Sequence, residues 1–359
     1  MRILILTTDA YGGHGGIALY NRDLIEAFAE MTAVSEIVVL PRSQPLPLEE
    51  MPAKVRFLSH VAGSKLRYAV CALRQSLGRF DLVICGHINL LPLATLSSRL
   101  LNAPLVMLVY GIDVWQPVSR RIGRHLKHVD AIWSISVITR DRMNAWARLP
   151  EARYVILPNA IHLDRYGLSD KRQELLDRYG LQGSKVIITL ARLAGSERYK
   201  GFDEVLQVMP ELLVSEPNLK YIIAGDGDDR RRLQSKASAL GLERHVIFTG
   251  MVSEADKADL LRLSDAFVMP GRGEGFGFVF LEAMACGIPV LGSRLDGSRE
   301  ALRDGQLGEL VDPSDPAEVK EGILLTLAKP RGIPAGLEYF AWPAFATRVS
   351  EAIRLINTT

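Results

Sequence analysis

Glu274 and Glu282 stand eight residues apart, separated by Gly275-Phe276-Gly277 and the apolar run Phe278-Val279-Phe280-Leu281. Glu274 belongs to a glycine-rich loop that begins at Pro270; Glu282 is embedded among Val279, Phe280, Leu281, Ala283 and Met284. A carboxylate in such apolar company is costly to bury without partners. One carboxylate accepts two hydrogen bonds from a vicinal diol, so a ribose or a hexose fits; backbone amides or an arginine fit as well. Upstream, Arg192 and Lys200 form a spaced pair of cations in Ala191-Arg192-Leu193 and Tyr199-Lys200-Gly201. A guanidinium fork and an ammonium point charge together suit a diphosphate, although either alone is an ordinary surface residue. Gly12-Gly13-His14-Gly15-Gly16 precedes an amphipathic stretch, and free N–H groups at a helix start attract an anion, a tight turn being the plain alternative. The run is not G-x-G-x-x-G, and Leu40-Pro41-Arg42 brings no acid to the end of the second apolar run, which disfavours a dinucleotide site of the NAD type. Asp113 in Val109-Tyr110-Gly111-Ile112-Asp113 is a candidate acid at the end of an apolar run, or else a turn or helix-cap aspartate. His87 is a similar candidate two residues after Cys85.

These residues need a scaffold, and the chain supplies a repeated one. Short apolar runs at 3–6, 37–40, 82–85, 105–109, 131–134, 154–157, 186–190, 221–224, 246–249, 266–269 and 289–292 read as strands. Amphipathic stretches between them, among them 18–30, 203–216, 228–240, 254–263 and 279–286, read as helices. Strand–helix alternation with β-branched strands implies parallel sheets covered on both faces. Eleven strands exceed one ordinary doubly wound sheet. The reading is therefore α/β with two Rossmann-like domains, 1–165 and 166–338, and a terminal helix at 339–359 that packs back on the first. Ligands of such sheets bind beyond the carboxyl ends of the strands, so the cleft facing both domains is the expected site.

Composition narrows the class. Hydrophobic residues make up 48% and charged residues 23%, which excludes disorder and collagen-like repeats. A net charge of +2 argues against a dedicated nucleic-acid binder. Cys71, Cys85 and Cys286 have neither zinc-ligand nor disulfide-framework spacing, which suits a cytoplasmic compartment. No run is long and apolar enough for a transmembrane helix, and the first residues read as a buried strand rather than a signal peptide. The charge is unevenly spread. Between His60 and His128, Lys65, Arg67, Arg74, Arg79, Arg99, Arg120, Arg121, Arg124 and Lys127 face only Asp81 and Asp113. Such a surface suits anionic lipid or a phosphorylated substrate, or is a solvated face.

Glu274-Gly-Phe-Gly with Glu282-Ala-Met-Ala-Cys-Gly-Ile-Pro-Val resembles the E-x7-E signature of family 4 glycosyltransferases (glycosyl transferases group 1) of the GT-B fold. Gly12 to Gly16 with Tyr20-Asn21, the linker from Leu157-Pro-Asn159 to Tyr166, Arg192-Leu193, Lys200-Gly201, Ala224-Gly-Asp-Gly227 and Thr249-Gly250-Met-Val252 extend the resemblance over most of the chain. It implies a retaining hexosyl transfer from a nucleotide-diphospho-sugar, GDP-mannose or a UDP-hexose, to a hydroxyl of a glycan or lipid-linked acceptor in surface polysaccharide or glycolipid synthesis. By the same resemblance Glu282 holds the nucleotide ribose, and Gly250 and Val252 lie at the base. Glu274 meets the donor sugar beside the Phe276 and Gly277 amides. Arg192 and Lys200 neutralise the diphosphate, and Gly15 and Gly16 meet its far side. No metal or other cofactor is expected, because the two cations do that work; Asp228-Asp229 reads as a helix cap rather than a metal motif. Relatives carry His in a His-Gly-x-Asp/Glu stretch where this chain has Tyr110-Gly111-Ile112-Asp113, so Asp113 is the candidate left there, for acceptor binding. The basic stretch gains an anionic membrane surface as its candidate partner, at the inner face of the plasma membrane. The competing readings are a non-catalytic nucleotide-sugar-binding subunit and a GT-B sugar-nucleotide epimerase.

Overall fold

The computed structural model describes residues 1–357. The chain forms two compact units, one of Met1–Ala160 with the C-terminal segment from Trp342 onward, the other of Ile161–Ala341. The first unit contains β1 (Arg2–Thr7), α1 (Gly15–Glu30), β2 (Glu36–Pro41), β3 (Val55–Phe57), α2 (Lys65–Gln75), β4 (Leu82–Cys85), α3 (Leu91–Leu101), β5 (Leu105–Val109), α4 (Arg120–Gly123), β6 (Ala131–Ser134), α5 (Val137–Ala147) and β7 (Tyr154–Ile156). The second contains α6 (Gln173–Tyr179), β8 (Lys185–Leu190), α7 (Phe202–Ser215), β9 (Leu219–Ala224), α8 (Arg230–Ala239), β10 (Val246–Gly250), α9 (Glu254–Arg262), β11 (Ala266–Val268), α10 (Phe278–Ala285), β12 (Val290–Ser293), α11 (Ser298–Ala301), β13 (Glu309–Val311) and α12 (Pro316–Ala328). The terminal helix α13 (Trp342–Asn357) returns to the first unit.

Each unit is built on one parallel sheet, ordered β3-β2-β1-β4-β5-β6-β7 in the first and β10-β9-β8-β11-β12-β13 in the second. The physical cause is two-sided burial. Leu4 and Leu6 of β1 join Val83, Cys85, Leu105 and Met107 in a core closed by Tyr68 and Ala72 of α2 and Leu91 and Ala94 of α3. Successive strand side chains point to opposite faces, so Ile3 and Ile5 are buried on the other side, where Phe28 of α1 meets Trp133. In the second unit Ile187, Tyr221, Ile223 and Val268 pack with Val205, Leu206 and Met209 of α7 and Val319 and Ile323 of α12.

All eleven expected strands are present, and two more, β3 and β13, extend the sheets at their edges. Both are three residues long and only partly buried, so they carry no continuous apolar run. The first unit ends at Ala160 rather than at residue 165. Ile161 belongs to the second unit because its N–H donates to the Phe340 carbonyl at 2.8 Å and it bridges to Ala341. The second unit runs to Ala341 rather than 338, since Phe340 is buried and packs edge-on against Phe276, ring centres 5.4 Å apart. α13 packs on α1, with Phe345 edge-on to Tyr20 at 5.7 Å. Its first turn already contains Pro343, a position that tolerates proline because no N–H is needed there; the last two residues of the expected 339–359 helix lie outside the described residues.

Candidate active site

Lys200 and Glu274 are brought together. Lys200 ends a 3-10 turn (Gly195–Lys200) that follows β8, and Glu274 lies in the loop between β11 and α10. Lys200 Nζ donates to Glu274 Oε2 at 2.6 Å, and each side chain is 17% exposed. Burial alone would lower the ammonium pKa, but the charge and hydrogen bond of Glu274 outweigh it, so Lys200 is held above its ordinary value. The Glu274 backbone is clamped from the segment after β12. Its N–H donates to Asp296 Oδ2 at 2.9 Å, and its carbonyl accepts from Gly297 N–H at 2.8 Å. Gly297 allows this approach, because a Cβ there would collide with the Gly275 carbonyl oxygen. Asp296 is fully buried. Burial raises its pKa against the hydrogen bonds from the Ser298 hydroxyl (2.6 Å), the Ser298 N–H and the Glu274 N–H.

Arg192 points elsewhere. Its guanidinium is 71% exposed and pairs with Glu197, and among the described residues it makes no hydrogen bond to Glu274. Asp228 and Asp229 depart from the expected cap. Asp229 precedes α8, but its carboxylate binds Arg232 (2.6 Å) and Arg198 (3.2 Å) instead of the helix amides, while Asp228 Oδ1 accepts from Gly195 N–H. Arginines outcompete the amides because a bidentate ion pair is stronger than a neutral N–H contact.

Glu282 lies in α10, 3% exposed. Neither an arginine nor a backbone amide holds it. Its Oε1 accepts from Lys257 Nζ of α9 at 2.6 Å and from the Tyr166 hydroxyl at 3.0 Å. Burial, then the Glu282 charge, push the Tyr166 phenol well above its ordinary pKa. Burial would lower Lys257, yet Glu282 and Glu254 hold its ammonium above the ordinary value. Between the two acids the loop turns at Gly277, whose φ of +91° places it where a side chain is strained and where a Cβ would also press on Phe280. Phe276 is buried on Phe340. Among the described residues, the Gly275, Phe276 and Gly277 N–H groups donate no hydrogen bond, and no side chain caps α10. Gly250 closes β10 with its carbonyl on Gly225 N–H at 3.0 Å; Val252 is half-buried just before Ser253, which caps α9.

In the first unit, Gly15 and Gly16 are exposed at the start of α1, and among the described residues no side chain caps that helix at His14. Tyr110 is buried and its hydroxyl donates to Asn21 Oδ1 at 2.7 Å; Asn21 Nδ2 in turn donates to Thr7 Oγ1 and the Asp9 carbonyl, both at 2.8 Å. The tyrosine is thus committed to the frame. Asp113 Oδ1 accepts from Tyr110 N–H at 3.3 Å, and its Oδ2 is buried with no hydrogen-bond partner among the described residues. Burial raises the Asp113 carboxyl to about 7, against nearby backbone amides. His87 takes the Asn89 N–H on Nδ1 and caps a 3-10 turn, a structural task.

Sequence reasoning did not single out Asp296 or Lys257, and named Tyr166 only as the end of the linker. Asp-Gly-Ser after the β12 run carried a turn signal for Asp296. Lys257 sits in a polar helix with no mark of its own.

Comparison with known proteins bears on this geometry. Residues 14–165 match the family model described as Glycosyltransferase Family 4, and residues 171–335 match that described as Glycosyl transferases group 1. The chain is 30% identical to the GDP-mannose-dependent alpha-(1-6)-phosphatidylinositol monomannoside mannosyltransferase of Mycolicibacterium smegmatis, over 98% of each protein. It is 28% identical to the phosphatidyl-myo-inositol mannosyltransferase of Mycobacterium leprae, over 94% of this chain and 88% of that one. Among solved structures, Anabaena HepE in complex with UDP matches with a TM-score of 0.78 at 20% identity, over 99% of this chain and 100% of that one. The lipopolysaccharide outer core galactosyltransferase WaaB matches at 0.72 and 20% identity, over 99% of each.

Proposed function

The chain belongs to the family 4 glycosyltransferases, of the GT-B fold, and on that premise we propose that it moves mannose from GDP-mannose to a hydroxyl of a lipid-linked or glycan acceptor, with retention at the anomeric carbon. The observation that carries this reading is the Lys200–Glu274 pair, together with the buried Glu282 of α10, all within the second unit. The mannosyltransferase relatives match over nearly the whole chain, which favours GDP-mannose over a UDP-hexose.

The second unit binds the donor. Glu282 takes ribose hydroxyls and the segment at Gly250 and Val252 meets the base. Glu274 and the unpaired Phe276 and Gly277 amides meet the hexose and phosphate oxygens. The bond from the anomeric carbon to the diphosphate oxygen breaks, and negative charge grows on the leaving group. Lys200 is already fixed by Glu274, and Arg192 is exposed and free to swing from Glu197; preorganised cations of this kind stabilise such charge. They make a metal unnecessary. The acceptor oxygen bonds to the same face of the sugar, and its proton passes to the departing phosphate oxygen, so no protein base is required. Within the first unit taken by itself, the exposed glycines Gly15 and Gly16 at the start of α1 suit an anion, and Asp113 binds the acceptor.

The acceptor side works at an anionic membrane surface. Helix α2 leaves Leu66, Val70 and, just beyond it, Leu77 exposed, with Lys65, Arg67, Arg74 and Arg79 around them. No described helix is long and apolar enough to cross a membrane. The deciding experiment offers GDP-mannose and UDP-glucose to the purified protein with a phosphatidylinositol mannoside, and reads product and anomeric configuration by NMR. An α-mannosyl product formed only from GDP-mannose supports the reading; turnover of UDP-glucose alone, a β-linked product, or no transfer overturns it.

A further inference from the structure

The two oxygens of Glu282 are not equivalent. Oε1 accepts from Lys257 Nζ at 2.6 Å and from the Tyr166 hydroxyl at 3.0 Å, whereas Oε2 accepts no hydrogen bond from any described residue. The carboxylate and the ammonium are both well shielded, at 4% and 12% side-chain exposure. Lys257 is steered in turn by Glu254 Oε2 at 2.7 Å, one helical turn before it. α9, which carries Lys257, begins directly after Val252, and α10 carries Glu282. Tyr166 arrives from the opening segment of the second unit. Two separate stretches of chain therefore converge on one oxygen of a third and leave its other oxygen open.

We infer that Lys257 is a positioning residue for donor binding, acting through Glu282, an assignment that rests on the reading of Glu282 as the donor-binding carboxylate. The lysine does two things. It compensates a carboxylate that α10 surrounds with apolar side chains and leaves Oε2 open as an acceptor. It also fixes the carboxylate plane, with Tyr166 as the second pin, so the open oxygen is aimed before a ligand hydroxyl arrives. Without the ammonium, a buried carboxyl with one hydroxyl donor takes up a proton, and a protonated carboxyl is a poorer acceptor. Because α9 starts at the end of the Gly250 and Val252 segment, the same lysine ties that segment to α10.

The test is GDP binding measured by calorimetry from about pH 5.5 to about pH 8.5, on the wild type and on Lys257→Met, Lys257→Arg, Tyr166→Phe and Glu282→Ala. The assignment expects Lys257→Met to bind GDP about tenfold more weakly near pH 6 and to recover toward wild type as pH rises. It expects Lys257→Arg to keep wild-type affinity and pH response, while the recovery of Lys257→Met at higher pH shows that this variant is folded. Tyr166→Phe, which leaves the ammonium in place, weakens binding without adding pH dependence. Equal weakening of Lys257→Met at every pH, or wild-type affinity in it throughout, overturns the positioning role. Wild-type GDP affinity in Glu282→Ala is a separate result, which overturns the reading of Glu282 itself and the assignment with it.

Discussion

The Lys200 ammonium and the Glu274 carboxylate lie 2.6 Å apart, and each is the other's sole ion-pair partner among the described residues. Removing one member leaves the other partly buried and uncompensated. Lys200→Met should therefore cost roughly 1–3 kcal/mol of stability, whereas Lys200→Met with Glu274→Gln together should cost less than the sum of the two single variants. Activity should behave differently: each single variant should lower kcat about a hundredfold or more, and the double variant should not recover it, because the transition-state charge has lost its cation. Thermal melts and kcat on the four proteins of this cycle check both halves. A double variant that regains activity would place the pair's role in folding alone.

Asp113 carries a pH dependence of its own. Its carboxyl sits at about 7 in the folded protein, above its ordinary 3.8, mainly through burial. The folded state therefore binds this proton more tightly than the unfolded chain does, and its contribution to stability is full below about 4 and declines as pH rises to about 7. Asp113→Asn lacks the ionisation. Its stability relative to wild type should improve by about 1–3 kcal/mol between pH 5 and pH 8. Urea titrations at the two pH values measure it, and a difference that does not change with pH would contradict the burial of this group. The same variant should raise the KM for acceptor more than that for GDP-mannose.

Tyr110 is buried beside Asp113, and its hydroxyl is spent on Asn21. Asn21 is itself buried and passes its other hydrogen bonds to Thr7 and the Asp9 carbonyl. Tyr110→Phe leaves a buried amide oxygen unsatisfied and should destabilise the protein by about 1–2 kcal/mol, with kcat within about threefold of wild type. A loss of kcat of a hundredfold or more at unchanged stability would instead make the hydroxyl a participant in the reaction.

How much of this was legible in the sequence depends on the range of the interaction. The parallel sheets showed through because each strand is buried on both faces and leaves an unbroken apolar run; β3 and β13, at the sheet edges, leave none. Glu274, Glu282 and Lys200 stood out by glycine loops and by an acid within an apolar stretch, signals that are local. Their partners did not. Glu282 meets Lys257 across 25 positions and Tyr166 across 116, and Glu274 meets Asp296 across 22. Each pair joins different segments of the chain, beyond the reach of any local periodicity, so only the folded chain brings them together. Asp229 is the converse case: its place before α8 was local and legible, and its diversion to Arg232 and Arg198 was not.

With the diphosphate assigned to Arg192 and Lys200, the expected outcome is transfer without a metal ion. Transfer from GDP-mannose should be unchanged, within about twofold, in excess EDTA, because a cation in place supplies the charge stabilisation a divalent ion would otherwise give. Initial rates with EDTA and after re-addition of magnesium or manganese decide it. Loss of activity restored by either ion would show that the two side chains do not suffice. Arg192→Gln should raise KM for the donor as well as lower kcat, since this guanidinium must leave Glu197 to reach a phosphate.

The exposed side of α2 makes the last case. Leu66 is 74% exposed, Val70 56% and, just past the helix end, Leu77 82%, values that a chain surrounded only by water gains nothing from. Lys65, Arg67, Arg74 and Arg79 beside them form no ion pair among the described residues, so their charge is available to lipid headgroups. Aliphatic side chains at the acyl boundary and cations at the phosphates act together: burial supplies a salt-insensitive share of the affinity, and each cation adds about 1 kcal/mol near an anionic surface. Flotation with phosphatidylinositol-containing vesicles should therefore show binding that weakens, without vanishing, as salt rises past physiological strength. Replacing Arg67, Arg74 and Arg79 by Glu should abolish binding at low salt, and replacing Leu66, Val70 and Leu77 by Ser should leave a residue of binding that high salt removes completely. Transfer to a water-soluble acceptor should be untouched in both variants. Equal flotation of all three proteins, or equal binding to uncharged vesicles, would remove the membrane from the account and leave the acceptor to arrive from solution.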